Sequence, residues 1–396
     1  MSGIKHTSIT KLRSILLYGG GQLMPAVSGV VLSYIVMQTE PLWWGYFNGL
    51  QVYFMIAVVF MAWGNKDYLM RTFSAQPARM QQVFAEQFFS RIPLLFVAIL
   101  PALFLPFTIN EQYLLGVWLV SGFVAQSAEA LLWYHRKFKT VLYVEWISLL
   151  TNVLLFLVVS KNGWGYSSLL ISFTAGLVLK AMIYVAYFRH YFFAPLAHWN
   201  AGWIISTAPF ACMAFSGTLF SRSMLIAGGL YMHALELAQF RTVFVLLLLV
   251  QSTGAFMFQP FLPVYYRATP STARKMTRSV MFWGLFICLA TALLLPLITY
   301  YGFSFQLSVA DGIWAAVFVI SAHVVLPSAY KMIKQGQTIR MTVYSLSGTL
   351  ILFPVFHFFF QQPLRPITSA LAASALAQVI ILILFLSTEY SQPNHA

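Results

Sequence analysis

Three observations predict an all-α polytopic membrane protein of about twelve transmembrane helices. The chain of 396 residues is 60% hydrophobic and only 8% charged, with mean hydropathy +0.78. Its apolar runs recur at the roughly 20-residue length that spans a bilayer core of about 30 Å. Most of its 23 basic residues gather in alternate connectors. A water-soluble domain of this size needs a polar coat, and no polar stretch here is long enough for one.

The spans fall at about 13–36, 45–64, 92–109, 113–134, 141–160, 166–188, 203–227, 237–262, 280–300, 312–331, 341–360 and 367–387. With the N-terminus inside, 18 of the 23 basic residues lie in inner connectors, and only Lys161 and Arg365 lie in outer ones. This positive-inside bias puts both termini in the cytoplasm. The net charge of +14 is therefore a topology signal with a secondary role in holding anionic lipid heads, not a sign of nucleic acid. Cys212 and Cys288 both sit in apolar segments and read as reduced packing residues. The first apolar segment carries Gln22 and Pro25 and is too long for a cleavable signal.

Span one holds Gly19-Gly20-Gly21-Gln22, then Pro25 and Ser28-Gly29, which suits close helix packing, a kink, or the wall of a cavity. Trp43 and Trp44 belong to an interfacial aromatic belt. After span two, Met80, Val83, Phe84, Gln87 and Phe88 recur at helical spacing and predict an amphipathic helix along the inner interface. Residues 189–202, with Pro195, His190 and His198, form a cytoplasmic linker. It divides an N-terminal lobe, 1–188, from a C-terminal lobe, 203–396. The two histidines have no Cys, Asp or Glu beside them, so no metal site is expected. A faint repeat sets Gly45-Tyr46-Phe47-Asn48 against Ala238-Gln239-Phe240-Arg241, and Asp67-Tyr68-Leu69 against Pro260-Phe261-Leu262, both 193 residues on.

The stretch from Thr218 to Arg241 organises the reading. An arginine at bilayer depth costs several kcal/mol unless it faces protein or water. Arg222 and Arg241 flank a Gly228-Gly229 turn midway along the chain, which predicts a polar cavity where two halves meet. Arg241, Ser252 and Gln259 share a helix face, because separations of 11 and 18 residues return to the starting direction. The competing reading is snorkelling of both arginines, with Glu236 pairing one of them. Glu129, Glu145 and Lys180 lie on spans four to six and read as a structural charge cluster rather than a proton path. His323 and His357 stand singly and read as packing or water-contacting residues. No Gly-x-Ser-x-Gly, Walker loop or His-Glu-x-x-His is present, so a transporter is favoured over an enzyme, with no cofactor.

Three patches resemble bacterial polysaccharide flippases, the O-antigen and capsule repeat-unit translocases of the multidrug/oligosaccharidyl-lipid/polysaccharide superfamily. They are Ile15-Leu-Leu-Tyr-Gly-Gly-Gly21-Gln-Leu, the string from Gly64 to Arg71, and the signature running from Arg222 through Gly228-Gly229, Leu235-Glu236 and Phe240 to Pro263. Ser221 stands where an aspartate often precedes the arginine. The resemblance implies two six-helix lobes around a central cavity open alternately to each side of the bacterial inner membrane. It implies an undecaprenyl-pyrophosphate-linked oligosaccharide as substrate and other polysaccharide assembly proteins as partners. Arg222 and Arg241 would hold phosphate, with Gln22, Ser252 and Gln259 as polar lining and Tyr18 and Tyr34 stacking on sugar. A coupling ion, H+ or Na+, is left open. The rivals are a cation-coupled multidrug exporter of the same superfamily, which needs buried carboxylates, and a membrane-embedded acyl- or glycosyltransferase, which needs a carboxylate pair or buried histidine.

Overall fold

The computed structural model describes residues 2–104, 107–194, 199–258, 265, 269–335 and 337–390. These residues are helical almost throughout, because a backbone crossing lipid must satisfy its own polar groups. The helices are α1 (Ser2–Thr39), α2 (Pro41–Ala62), α3 (Asn65–Ala75), α4 (Met80–Ser90), α5 (Ile92–Ile99), α6 (Ile109–Tyr134), α7 (Phe138–Ser160) and α8 (Ser167–Tyr187). They continue with α9 (Arg189–Phe192), α10 (Ala201–Tyr231), α11 (Ala234–Phe258), α12 (Pro270–Phe303), α13 (Val309–Lys334), α14 (Thr338–Phe360) and α15 (Pro366–Tyr390). Eleven helical runs among the described residues are long and apolar enough to span a membrane. The apolar part of α1, Leu23–Thr39, is shorter. The protein is a multi-pass membrane protein.

The described residues form two compact units, one of 1–48 with 220–396 and one of 49–219. Their borders differ from the lobe borders drawn along the sequence at 188 and 203. In the larger unit, α1 packs on α11, α12 on α13, and α15 on both α13 and α14. In the smaller unit, α6 packs on α8 and α7 on α8. The helix starts repeat along the chain. Pro41 and Ala234 are 193 residues apart, Ile109 and Val309 are 200 apart, Phe138 and Thr338 are 200 apart, and Ser167 and Pro366 are 199 apart.

The caps repeat as well. Thr108 and Glu111 close a capping box on α6, and Glu111 also accepts from Ser167 Oγ at 2.7 Å. In the other unit the Ser308 backbone N–H donates to Asp311 at 2.7 Å, and Asp311 N–H donates back to Ser308 Oγ at 3.2 Å. Asp311 also accepts from Thr368 at 2.6 Å and pairs with Arg365. Each carboxylate satisfies orphan N–H groups of its own helix and ties it to the start of another.

One expectation is overturned. The apolar face of α4 does not lie open for an interface: Val83, Phe84 and Gln87 are buried in the smaller unit. Phe84 meets Tyr191 and Phe192 edge-on, and Phe88 meets Phe123 and Phe192. The run from Pro77 to Phe104 forms one apolar span that begins well before residue 92. The same 3.6-residue periodicity marks a face packed on protein and a face laid on lipid, so pattern alone does not separate them.

Arg91 is the second correction. In sequence it reads as an inner-connector charge, yet it is 1% exposed. Its guanidinium donates to the carbonyls of Met61 at 3.2 Å and Ala62 at 3.3 Å, and to Ser127 Oγ at 2.9 Å. It therefore caps the C-terminal end of α2, where helix carbonyls lack partners and the dipole is negative. Gly64 follows at φ +68, and a Cβ there would stand 2.6 to 2.8 Å from Phe210 and Ala211. Only glycine fits both that backbone and that contact.

Candidate functional site

In the larger unit, the start of α2 and the start of α11 meet closely. A Cβ on Gly45 would lie 2.0 Å from the Ala234 carbonyl oxygen. That approach brings Trp44 and Phe47 against Arg241. The guanidinium carbon of Arg241 is 3.5 Å from the Trp44 ring centroid and 5.4 Å from that of Phe47. Its Nη1 donates to the Trp44 carbonyl at 2.9 Å. Arg241 is fully buried. A desolvated cation over an indole face gains about 2 kcal/mol, which helps to hold the charge there.

Arg222 lies in the same unit, on α10. It is only half-buried, and its Nε has no hydrogen-bond partner. The sequence suggests the same role for both arginines, but their surroundings differ. Arg241 is sealed into the protein, while part of Arg222 stays accessible.

Glu236 acts as a helix cap: its carboxylate accepts from the His233 backbone N–H at 3.1 Å, at the start of α11. Ser252 Oγ donates to the Leu249 carbonyl in its own helix at 2.6 Å, as a membrane serine commonly does. Tyr34 is 49% exposed and meets Phe303 edge-on. Tyr18 and Gln22 lie on α1, where only the backbone is described, and Gln259, Pro195 and His198 lie outside the described residues. His357 is not alone: it contacts Tyr231 Oη at 3.3 Å and Gln361 at 2.9 Å. His323 is buried with Nδ1 on the Val319 carbonyl at 2.9 Å.

The charge cluster of the smaller unit is rearranged relative to expectation. Lys180 pairs with Glu145, while Glu129 pairs with Lys66 at 2.9 Å. Glu129 accepts also from Gln126 at 2.7 Å and Trp133 at 3.3 Å. Lys66 lies 4.3 Å over the Trp133 ring. In sequence Lys66 counts only as an inner-connector charge; the packing of α3 on α6 brings it to Glu129. Among the described residues no group of three or more His, Cys, Asp or Glu could hold a metal.

Comparison with known proteins adds the fold. No protein-family model matches the chain, and no curated protein does. Solved structures match over nearly its whole length. The MATE multidrug transporter DinF-BH aligns with TM-score 0.68 and 14% identity, over 97% of this chain and 96% of that one. The inward-facing conformation of a multidrug resistance MATE family transporter of the MOP superfamily aligns at 0.64 and 11%, over 93% and 94%. The chain shares the fold of these transporters. The eukaryotic MATE transporter AtDTX14 shares it at 0.54 and 12%, over 97% and 96%. Helix starts that recur at spacings near 200 residues are what an internal repeat produces, and transporter folds are commonly built from such repeats.

Proposed function

We propose that this protein is a transporter that carries an undecaprenyl-pyrophosphate-linked oligosaccharide across the bacterial inner membrane by alternating access. One observation carries the reading: within the described spans, the acidic side chains are already committed to protein donors. Glu86 accepts from Gln82 and Trp203, Glu111 from Thr108 and Ser167, and Glu129 from Lys66. Glu145 accepts from Lys180, Glu236 from His233, and Asp311 from Arg365 and Thr368. A cationic drug would need a carboxylate, and each of these would have to abandon a partner first.

Cationic side chains, by contrast, include a half-buried arginine beside a buried one. A pyrophosphate is a multivalent anion whose oxygens accept paired N–H donors from a guanidinium. Arg222 is the direct ligand in this reading. Arg241, clamped on Trp44, supplies field from behind without reaching the substrate. The polysaccharide assignment itself rests on the sequence patches that resemble flippases.

The second reading, a multidrug exporter, is favoured by the names of the solved structures that share the fold. The two readings part in one experiment. Expression in a host lacking its repeat-unit flippase restores surface polysaccharide, and Arg222→Gln abolishes that rescue at unchanged membrane yield. Resistance of a drug-hypersensitive host to cationic dyes, with no polysaccharide rescue, would replace the flippase with the exporter.

A further inference from the structure

The turn between α6 and α7 reads His135-Arg136-Lys137-Phe138-Lys139. The Arg136 N–H donates to the Trp133 carbonyl at 3.1 Å, and the Lys137 N–H donates to the Leu132 carbonyl at 2.9 Å. This pair of bonds is a Schellman motif, whose left-handed position is ordinarily glycine. Here it is Arg136, at φ +53. That conformation strains a residue with a Cβ and leaves glycine unstrained. Membrane topology does not explain the choice, because a cation anywhere in this connector serves it equally well. An arginine held against the preference of its own backbone calls for a use of its side chain.

Tertiary packing gathers further cations around the turn. The His135 ring stacks on Phe188 at 6.2 Å, and its Nε2 lies 3.0 Å from Tyr191 Oη. Lys137 Nζ stands 5.8 Å from the Tyr187 ring centroid, at the end of α8. Arg189 and His190 fall between these contact points in the chain. Arg136, Lys137, Lys139, Arg189 and His190 are all exposed, and among the described residues no ion pair neutralises any of them.

The neighbouring surface selects the anion. One helical turn beyond Lys139, about 6 Å along the axis, the exposed face of α7 becomes apolar at Tyr143 and continues through Trp146 and Leu150. Helix α8 packs on α7 and exposes Met182 and Tyr187 at the same end. Exposed tyrosine and tryptophan at such a step mark the boundary between headgroups and hydrocarbon. Cations one turn outside that boundary stand at the depth of lipid phosphates, whose oxygens accept paired donors from a guanidinium. A free anion would engage the cations and leave the apolar faces unused. A lipid engages both.

We infer that the α6–α7 turn, together with Arg189 and His190, binds the phosphate headgroup of an anionic phospholipid of the surrounding bilayer, whose chains lie along α7 and α8. The net charge of the chain attracts anionic lipid in general, whereas this cluster gives one lipid a fixed place. The inference is independent of what the protein transports.

The test uses the full-length protein, delipidated in detergent and titrated with phosphatidylglycerol or phosphatidylcholine, with bound lipid counted by native mass spectrometry. Phosphatidylglycerol should bind more tightly. Lys137→Gln with Arg189→Gln should weaken its tightest binding step about fivefold for each cation removed, and leave phosphatidylcholine binding unchanged. Arg136→Gly should weaken the same step while the melting temperature stays equal or rises, so misfolding does not account for the loss. Arg274→Gln with Arg278→Gln, which removes two exposed cations from α12 of the larger unit, controls for general attraction and should leave that step intact. Equal affinity for the two lipids, an unchanged step in Arg136→Gly, or an equal loss in the α12 variant would each overturn the site. A lower melting temperature in Arg136→Gly would overturn it too, since the backbone would then prefer the arginine. Displacement of the lipid by equimolar inorganic pyrophosphate would make this a site for a free anion and remove the lipid from it.

Discussion

Arg241 stands over the indole of Trp44, with its guanidinium carbon 3.5 Å from the ring centroid, and donates to the carbonyl of that same residue at 2.9 Å. One side chain thus fixes the start of α2 to α11 through both its π face and its hydrogen-bonding edge. Arg222, half-buried nearby, has no such clamp for its Nε.

The two arginines should therefore separate experimentally. Arg241→Gln removes a cation–π contact of about 2 kcal/mol, and membrane yield and melting temperature should fall. Arg241→Lys should recover only part of the loss, because a lysine lacks the planar fork that stacks and donates together. Arg222→Gln should leave yield and melting temperature near normal while transport drops. Blotting and thermal scans of the purified variants check the first claim, and polysaccharide display checks the second. Equal loss of yield in both would contradict the division.

The smaller unit makes a sharper statement about partners. Lys180→Met leaves Glu145 buried without its cation, and should cost about 3 kcal/mol. Glu145→Gln in the same chain should restore much of that stability, whereas Glu129→Gln should not, since Glu129 is paired with Lys66. A double-mutant cycle on melting temperature gives the coupling directly. Stronger rescue by Glu129→Gln would show that the pairing is wrong.

His135 gives the pH dependence. It follows α6, outside the spans, and contacts Tyr191 Oη at 3.0 Å. Burial, then the charges of Lys137 and His190, hold its pKa below the usual 6.5. The folded state thus disfavours protonation. Its stability is fully present above about pH 6.5 and is lost as pH falls through the depressed folded value. Melting temperature should decline below pH 6.5, and His135→Gln should make that decline shallower. An unchanged slope in the variant would remove His135 as the cause.

Topology is the fourth expectation. Reporter fusions after Asn110 and Gly163 should read as external, and one after Lys139 as internal. Gly163 lies in the exposed turn between α7 and α8, so a fusion there disturbs little packing. An internal signal after Gly163 would invert the arrangement.

Composition and period alone determined the class of this protein. Apolar runs of bilayer length, with basic connectors between them, allow little but a helical polytopic membrane protein. The interruption at Arg222 and Arg241 also showed in the sequence, because charge inside an apolar run is costly unless it reaches protein, water or the interface. The repeat was legible only at its first helices: the offset of 193 matches the starts of α2 and α11, while the later helices follow offsets of 199 and 200. The Thr108/Glu111 and Ser308/Asp311 caps carry that second offset in residue chemistry too conservative in type to stand out by eye.

Only tertiary structure decided which charges meet. Lys66 and Arg91 look like solvated connector residues, since sequence gives the depth of a residue along a helix but not the direction in which it turns. The packing of α3 on α6 carries Lys66 to Glu129, and α2 ends where Arg91 can cap it. The same reason separates Arg241 from Arg222. Both are arginines at similar depth in apolar sequence. What sets Arg241 apart is Trp44, 197 residues away in the chain, whose ring and carbonyl hold its guanidinium inside the protein.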